Sequence, residues 1–111
     1  MAELRVSPEA ANDLWRLRHY IAVQLDSPVA AQKLVSHILE SVRRLADFPK
    51  SGSPLSSVLD IETDYRFLVC GDYLIFYRLE QQTVSIVRIL YGKRDYLKLL
   101  FGEQPPQMLN D

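Results

Sequence analysis

Only one cysteine, Cys70, occurs in the 111 residues, so no disulfide can form within the chain. The two histidines, His19 and His37, stand apart, and no Cys/His group has metal-ligand spacing. Neither a metal nor another cofactor is expected. No apolar run approaches the roughly 18 residues needed to cross a bilayer. The N-terminus passes straight into Glu3-Leu4-Arg5-Val6 with no signal-peptide pattern. These absences lead to the expectation of a cytoplasmic protein with no membrane partner. A charge excess of either sign is missing too: the net charge is −1. Proteins that hold nucleic acid through many phosphates normally carry a basic surplus. Residues 1–65 hold 7 Lys/Arg against 9 Asp/Glu, and residues 66–111 hold 6 against 5. Any electropositive site is therefore local and built on the C-terminal part.

What is present is an ordinary globular composition, 48% hydrophobic and 24% charged, in a length that supports one core. A single domain over residues 1–101 is expected. A flexible tail over 102–111 follows from Glu103-Gln104-Pro105-Pro106. Residues 3–6 read as a short strand. Ser7-Pro8-Glu9 is a helix start, with a capping hydroxyl, a proline at the first helical position and an acid in the first turn. Leu14, Leu17, Ile21 and Leu25 then form an apolar stripe at helical spacing. Ser27-Pro28 repeats the start signal ahead of a broader apolar face of Ala31, Leu34, Val35, Ile38, Leu39, Val42 and Leu45. That helix should end near Phe48-Pro49, before the turn-rich Ser51-Gly52-Ser53-Pro54. So short a connection makes the two helices an antiparallel hairpin.

Residues 49–63 read as a loop, with Val58, Leu59 and Ile61 as an extended lead-in to three strands. Gly71-Asp72 is a two-residue hairpin turn, and Gln81-Gln82 lies at the tip of a second hairpin. Lys93 to Phe101 reads as a short terminal helix or an extension. The order is β-α-α-β-β-β, an α+β fold with the helical hairpin on one face of a largely antiparallel sheet.

Arginines interrupt the apolar strands, and an unpaired buried guanidinium is costly. The turns set a register that pairs Arg66 with Tyr77, Tyr77 with Ile86, and Ile75 with Arg88. One face then displays Arg66, Leu68, Cys70, Tyr73, Ile75, Tyr77, Ile86, Arg88 and Leu90. The other displays Phe67, Val69, Leu74, Phe76, Val87 and Ile89. It is more uniformly apolar at its centre and is assigned to the helices. Arg66 and Arg88 would flank the middle strand within reach of one ligand. One extra residue at the second turn would reverse the last strand and undo that placement. The bland reading makes both arginines surface residues paired with Asp64, Glu62 or Glu80.

Over residues 3–96 the chain resembles toxins of the RelE/ParE superfamily from bacterial type II toxin–antitoxin systems. The resemblance rests on Val6-Ser7-Pro8-Glu9-Ala10-Ala11-Asn12-Asp13-Leu14, Tyr65-Arg66, Tyr73-Leu74-Ile75-Phe76-Tyr77-Arg78 and Val87-Arg88-Ile89-Leu90-Tyr91-Gly92-Lys93-Arg94-Asp95. Their order and spacing are more specific than any one piece.

The superfamily implies two activities. RelE-like members cleave mRNA on the ribosome by promoting 2′-OH attack, which needs cations on the phosphate and an acid/base group. ParE-like members inhibit DNA gyrase and are not known to need nuclease chemistry. The ending Leu90-Tyr91-Gly92-Lys93-Arg94-Asp95, the lack of histidine in the strands and the near-neutral charge favour the ParE branch. Arg66 and Arg88 match phosphate-binding positions of the ribonucleases and, with Tyr91, would be the catalytic set of that alternative. Whether the chain is an enzyme depends on which branch holds. A degenerate toxin that only binds antitoxin is a third reading.

The resemblance implies a toxin–antitoxin hetero-oligomer with a cognate antitoxin protein, and DNA gyrase (or the ribosome and mRNA) as target. It places target or antitoxin contacts at Arg66, Tyr73, Tyr77, Arg88, Lys93 and Arg94. Lys98 extends the basic cluster formed by Lys93 and Arg94. Trp15 lies off the Leu14/Leu17 stripe and reads first as widening the core contact. Its alternative is an interface patch with Arg18, facing the antitoxin or a second toxin chain. His19, His37 and Cys70 read as structural or solvated.

Overall fold

The computed structural model describes residues 1–93 and 96–102. Strand β1 (Glu3–Val6) leads into helix α1 (Pro8–His19), which widens into a π-helical turn over Tyr20–Gln24. Helix α2 (Pro28–Arg44) follows, then the two-residue strand β2 (Ser53–Pro54) and a 3-10 turn at Leu55–Ser57. Strands β3 (Arg66–Cys70), β4 (Tyr73–Glu80) and β5 (Thr83–Tyr91) precede helix α3 (Tyr96–Phe101). The sheet order is β1-β5-β4-β3-β2, with β1 parallel to β5 and the remaining pairs antiparallel. This is the expected α+β class with one more strand. Tail residues beyond Gly102 lie outside the described residues.

The local signals act as their chemistry dictates. Ser7 Oγ accepts from the Ala10 N–H at 3.0 Å, and Pro8 opens α1. Ser27 makes no side-chain cap; only its carbonyl accepts from the Ala31 N–H. Gly71 takes φ +60° at the first hairpin turn, a conformation that costs a side chain with a Cβ energy. In the π turn the Leu25 N–H reaches back to the Tyr20 carbonyl, five residues away. That widening rotates the helix surface, so Leu25 leaves the predicted apolar stripe and stands 56% exposed. The segment 58–61 is not the extended lead-in expected. Leu55 and Ile61 instead fold under the sheet while Val58 stays exposed.

The register overturns one expectation. Cys70 pairs with Tyr73, Arg66 with Tyr77, and Tyr77 with Ile86, as read from the turns. Between Phe76 and Tyr77 the ladder then shifts, so Phe76 faces Arg88 and Ile75 faces Ile89. Val87 is the extra residue of a β-bulge, and beyond it every β5 side chain changes face. Arg66 and Arg88 are therefore on opposite faces. The helical hairpin covers the face of Cys70, Ile75, Tyr77, Ile86 and Ile89, not the Phe67/Phe76 face assigned to it. The Phe67, Leu74, Phe76 and Leu90 side is apolar because α3 and residues 55–61 cover it. Both faces are buried, so uniform apolarity did not mark the helical one.

Candidate functional site

The site begins where β1 stops. Strand pairing between β1 and β5 ends at Val6 and Ile86. The Ser7 N–H still donates to the Ile86 carbonyl at 2.9 Å, and Ser7 Oγ donates to the Val87 carbonyl at 2.8 Å. These bonds anchor the start of α1 on the edge of β5. Past that point the outer backbone of β5 needs partners, and Asp13 supplies one. Its carboxylate accepts from the Ile89 N–H at 3.0 Å and from Arg88 Nε and Nη2 at 2.7 and 2.9 Å. Arg88 Nη1 also reaches the Leu99 carbonyl of α3 at 3.4 Å. One buried acid thus replaces a missing strand and fixes α1, the bulge and α3 together. The fork geometry satisfies both charges, which a buried ion pair requires. The hydrogen bond to Asp13, followed by the attraction of its charge, outweighs burial and raises Arg88 above the ordinary arginine value.

Beside this node, α1 and the π turn stand away from the β3–β4 turn and the end of β5. The groove between them has a volume of about 640 Å³. Its floor is Leu17, Ile21 and Ile89; its rim carries Tyr20, Tyr73, Tyr91, Arg16 and Asp72. Tyr73 and Tyr91 are directly paired across β4 and β5, with rings edge-on and centroids 5.7 Å apart. Burial, then the neighbouring Tyr91, Tyr20 and Asp72, raise the Tyr73 phenol above its usual value. It remains a neutral hydrogen-bonding group at physiological pH. An apolar floor with phenols and a guanidinium at the rim suits an amphipathic peptide bearing carboxylates.

The predicted residues that are described separate into five places. Tyr73 and Tyr91 meet at the groove. Arg66 and Tyr77 are neighbours but serve the 49–52 loop. Arg66 Nη2 donates to the Lys50 and Gly52 carbonyls at 3.1 and 2.7 Å, leaving its Nε without a partner. Tyr77 is fully buried; its hydroxyl donates to the Pro49 carbonyl at 2.9 Å and accepts from the Gly52 N–H at 3.0 Å. A Cβ on Gly52 would lie 2.6 Å from both the Phe67 carbonyl oxygen and the Tyr77 hydroxyl. Arg88 is held by Asp13. Trp15 and Arg18 lie on the outer side of α1, with Trp15 60% exposed instead of widening the core. Lys93 is exposed, and Arg94 lies outside the described residues. Of the residues read as structural, Cys70 is buried, and His19 and His37 are exposed on their helices.

Asp13, Arg16 and Tyr20 were not singled out from the sequence. The signal for Asp13 was its position: it sits between Ala10 and Leu17 on the buried side of α1, where an acid needs a partner. No equivalent signal marked Arg16 or Tyr20, because the groove exists only once the π turn and the hairpin are set side by side.

The comparisons agree with this architecture. A chain of a solved structure described as the chromosomal ParDE TA system from P. aeruginosa superposes with a TM-score of 0.67 and 24% identity. The match covers 84% of this chain and 98% of that one, and it shows a shared fold. No curated protein matches. Residues 4–96 match the family described as the ParE toxin of the type II toxin–antitoxin system, parDE. The chain belongs to the ParE toxin family of type II toxin–antitoxin systems.

Proposed function

We propose that this chain arrests growth by binding a protein target, DNA gyrase, and that a cognate antitoxin neutralises it by occupying the tyrosine groove. The observation that carries the reading is the dispersal of the ribonuclease set. Arg66 and Arg88 lie on opposite faces, each engaged by the protein itself, and Tyr91 belongs to the groove. Phosphate cleavage needs cations and an acid/base group converging on one phosphate. A rim of phenols beside an apolar floor fits side-chain recognition better. The antitoxin segment that suits the groove is an amphipathic helix with aliphatic side chains toward Leu17 and Ile21 and a carboxylate toward Arg16. Contacts with the target are assigned to the end of β5, at Tyr91 and the exposed Lys93.

The test is pulse labelling of DNA and protein synthesis within minutes of inducing this chain alone, paired with supercoiling by purified gyrase. An early fall in DNA synthesis with inhibited supercoiling supports the proposal. An early collapse of translation with intact supercoiling overturns it in favour of mRNA cleavage. Normal growth leaves only the antitoxin-binding role.

A further inference from the structure

Helix α1 turns Ala10, Asp13 and Leu17 inward. On its opposite side Ala11, Trp15, Arg18 and Ala22 follow one another at intervals of four, three and four residues. They are part of the exposed side of the helix, which Asn12 and His19 continue: Ala11, Trp15 and Arg18 are exposed and Ala22 is half-buried. Trp15 stacks one face of its indole on His19, with centroids 5.1 Å apart and rings within 6° of parallel. Trp15, Arg18, His19 and Ala22 together line a notch of about 250 Å³. The ion pairs among the described residues do not include Arg18.

We propose that this face is a self-association surface, on which a second copy of the chain lays its own α1 antiparallel about a two-fold axis. The spacing is palindromic. With the axis between positions 15 and 18, each Trp15 meets the partner's Arg18, and each Ala11 meets the partner's Ala22. A guanidinium over an indole is a favourable contact, and the symmetry makes it twice. The alanines let the helices approach closely on both sides of the central pair. An isologous contact demands such a self-complementary stripe; an acidic partner would use Arg18 and leave the palindrome without a role.

The contact is small. The segment Pro8–Gln24 is about 25 Å long at 1.5 Å per residue. One helix pair of that length falls at the weak end of the interface range, so a dissociation constant on the order of 10–100 µM is expected. The tyrosine groove lies on another side of α1, so the dimer leaves it open.

The test is sedimentation equilibrium of the purified full chain from about 1 to 500 µM. Emission of Trp15, the chain's only tryptophan, is followed over the same range. A monomer–dimer equilibrium is expected, with a blue shift of that emission as dimer forms. Trp15→Ala and Arg18→Glu should each weaken association at least tenfold, with unchanged circular dichroism showing that both fold. The exchange variant carrying Trp15→Arg and Arg18→Trp should recover association, because the two-fold axis re-forms the same pairs. A chain that stays monomeric at 500 µM overturns the proposal. So does a dimer indifferent to both single variants. Quenching of Trp15 in the monomer by a 12-residue poly-glutamate would overturn it too, assigning the face to an acidic protein segment. None of these readouts involves growth, gyrase or antitoxin, so the result stands apart from the functional reading above.

Discussion

Replacing Asp13 with alanine removes three hydrogen bonds at one stroke: two from Arg88 and one from the Ile89 N–H. The side chains of Arg88 and Asp13 are 18% and 7% exposed. Breaking a buried ion pair by deleting one partner typically costs about 3–5 kcal/mol, because the other charge is left desolvated. Arg88 keeps some access to water and to the Leu99 carbonyl, which moderates the charge cost. The orphaned N–H adds roughly 1–3 kcal/mol. A net loss of about 3–4 kcal/mol is expected for Asp13→Ala, and a similar loss for Arg88→Ala, which strands the carboxylate. A domain of this size melts about 4–8 °C lower per kcal/mol, so Tm should fall on the order of 12–30 °C. The assay is urea unfolding followed by circular dichroism, with the double alanine variant closing the cycle. The double variant should lose clearly less than the sum of the two singles. Asp13→Leu with Arg88→Met should lose only about 1–2 kcal/mol, the share of the Ile89 N–H, since apolar replacement of a buried pair is near neutral. A single-variant loss below about 0.5 kcal/mol, or full additivity, would refute the view that Asp13 substitutes for the missing strand.

Gly52→Ala should destabilise by about 2–4 kcal/mol, because its Cβ has no room beside the Phe67 carbonyl and the Tyr77 ring; thermal melting checks this. Tyr77→Phe keeps the packing but leaves the Pro49 carbonyl and the Gly52 N–H without their shared partner, and should cost about 1–2 kcal/mol by urea unfolding. Tyr73 is raised in the folded state, so its contribution is complete below the ordinary phenol value of 10.0 and is lost as pH rises through the higher folded value. Tm measured from pH 8 to 11.5 should therefore decline above about 10, and Tyr73→Phe should flatten part of that decline. Tyr73→Ala with Arg16→Glu should weaken antitoxin binding at least tenfold by calorimetry, while Lys93→Ala, which lies outside the groove lining, leaves it unchanged.

Much of the fold was legible because its determinants are local. Ser7-Pro8 and Gly71-Asp72 act within a few bonds, and the helical stripes state which side faces a core. The α+β class and the pairing through Tyr77 and Ile86 followed from them. The candidate site was not legible to the same degree. A single bulged residue, Val87, moved Arg88 to the other face, and no local property of Val84-Ser85-Ile86-Val87 announces it. The π turn similarly withdrew Leu25 from the core and opened the groove beside Tyr20. By itself the sequence determined the two long helices, strands β1 and β3 to β5, the hairpin turns and the family signature, because each depends on spacing along the chain. Only the tertiary structure decided which face the helices cover, which arginines are held by the protein, and which tyrosines meet, because those depend on where a ladder slips and what lies across it.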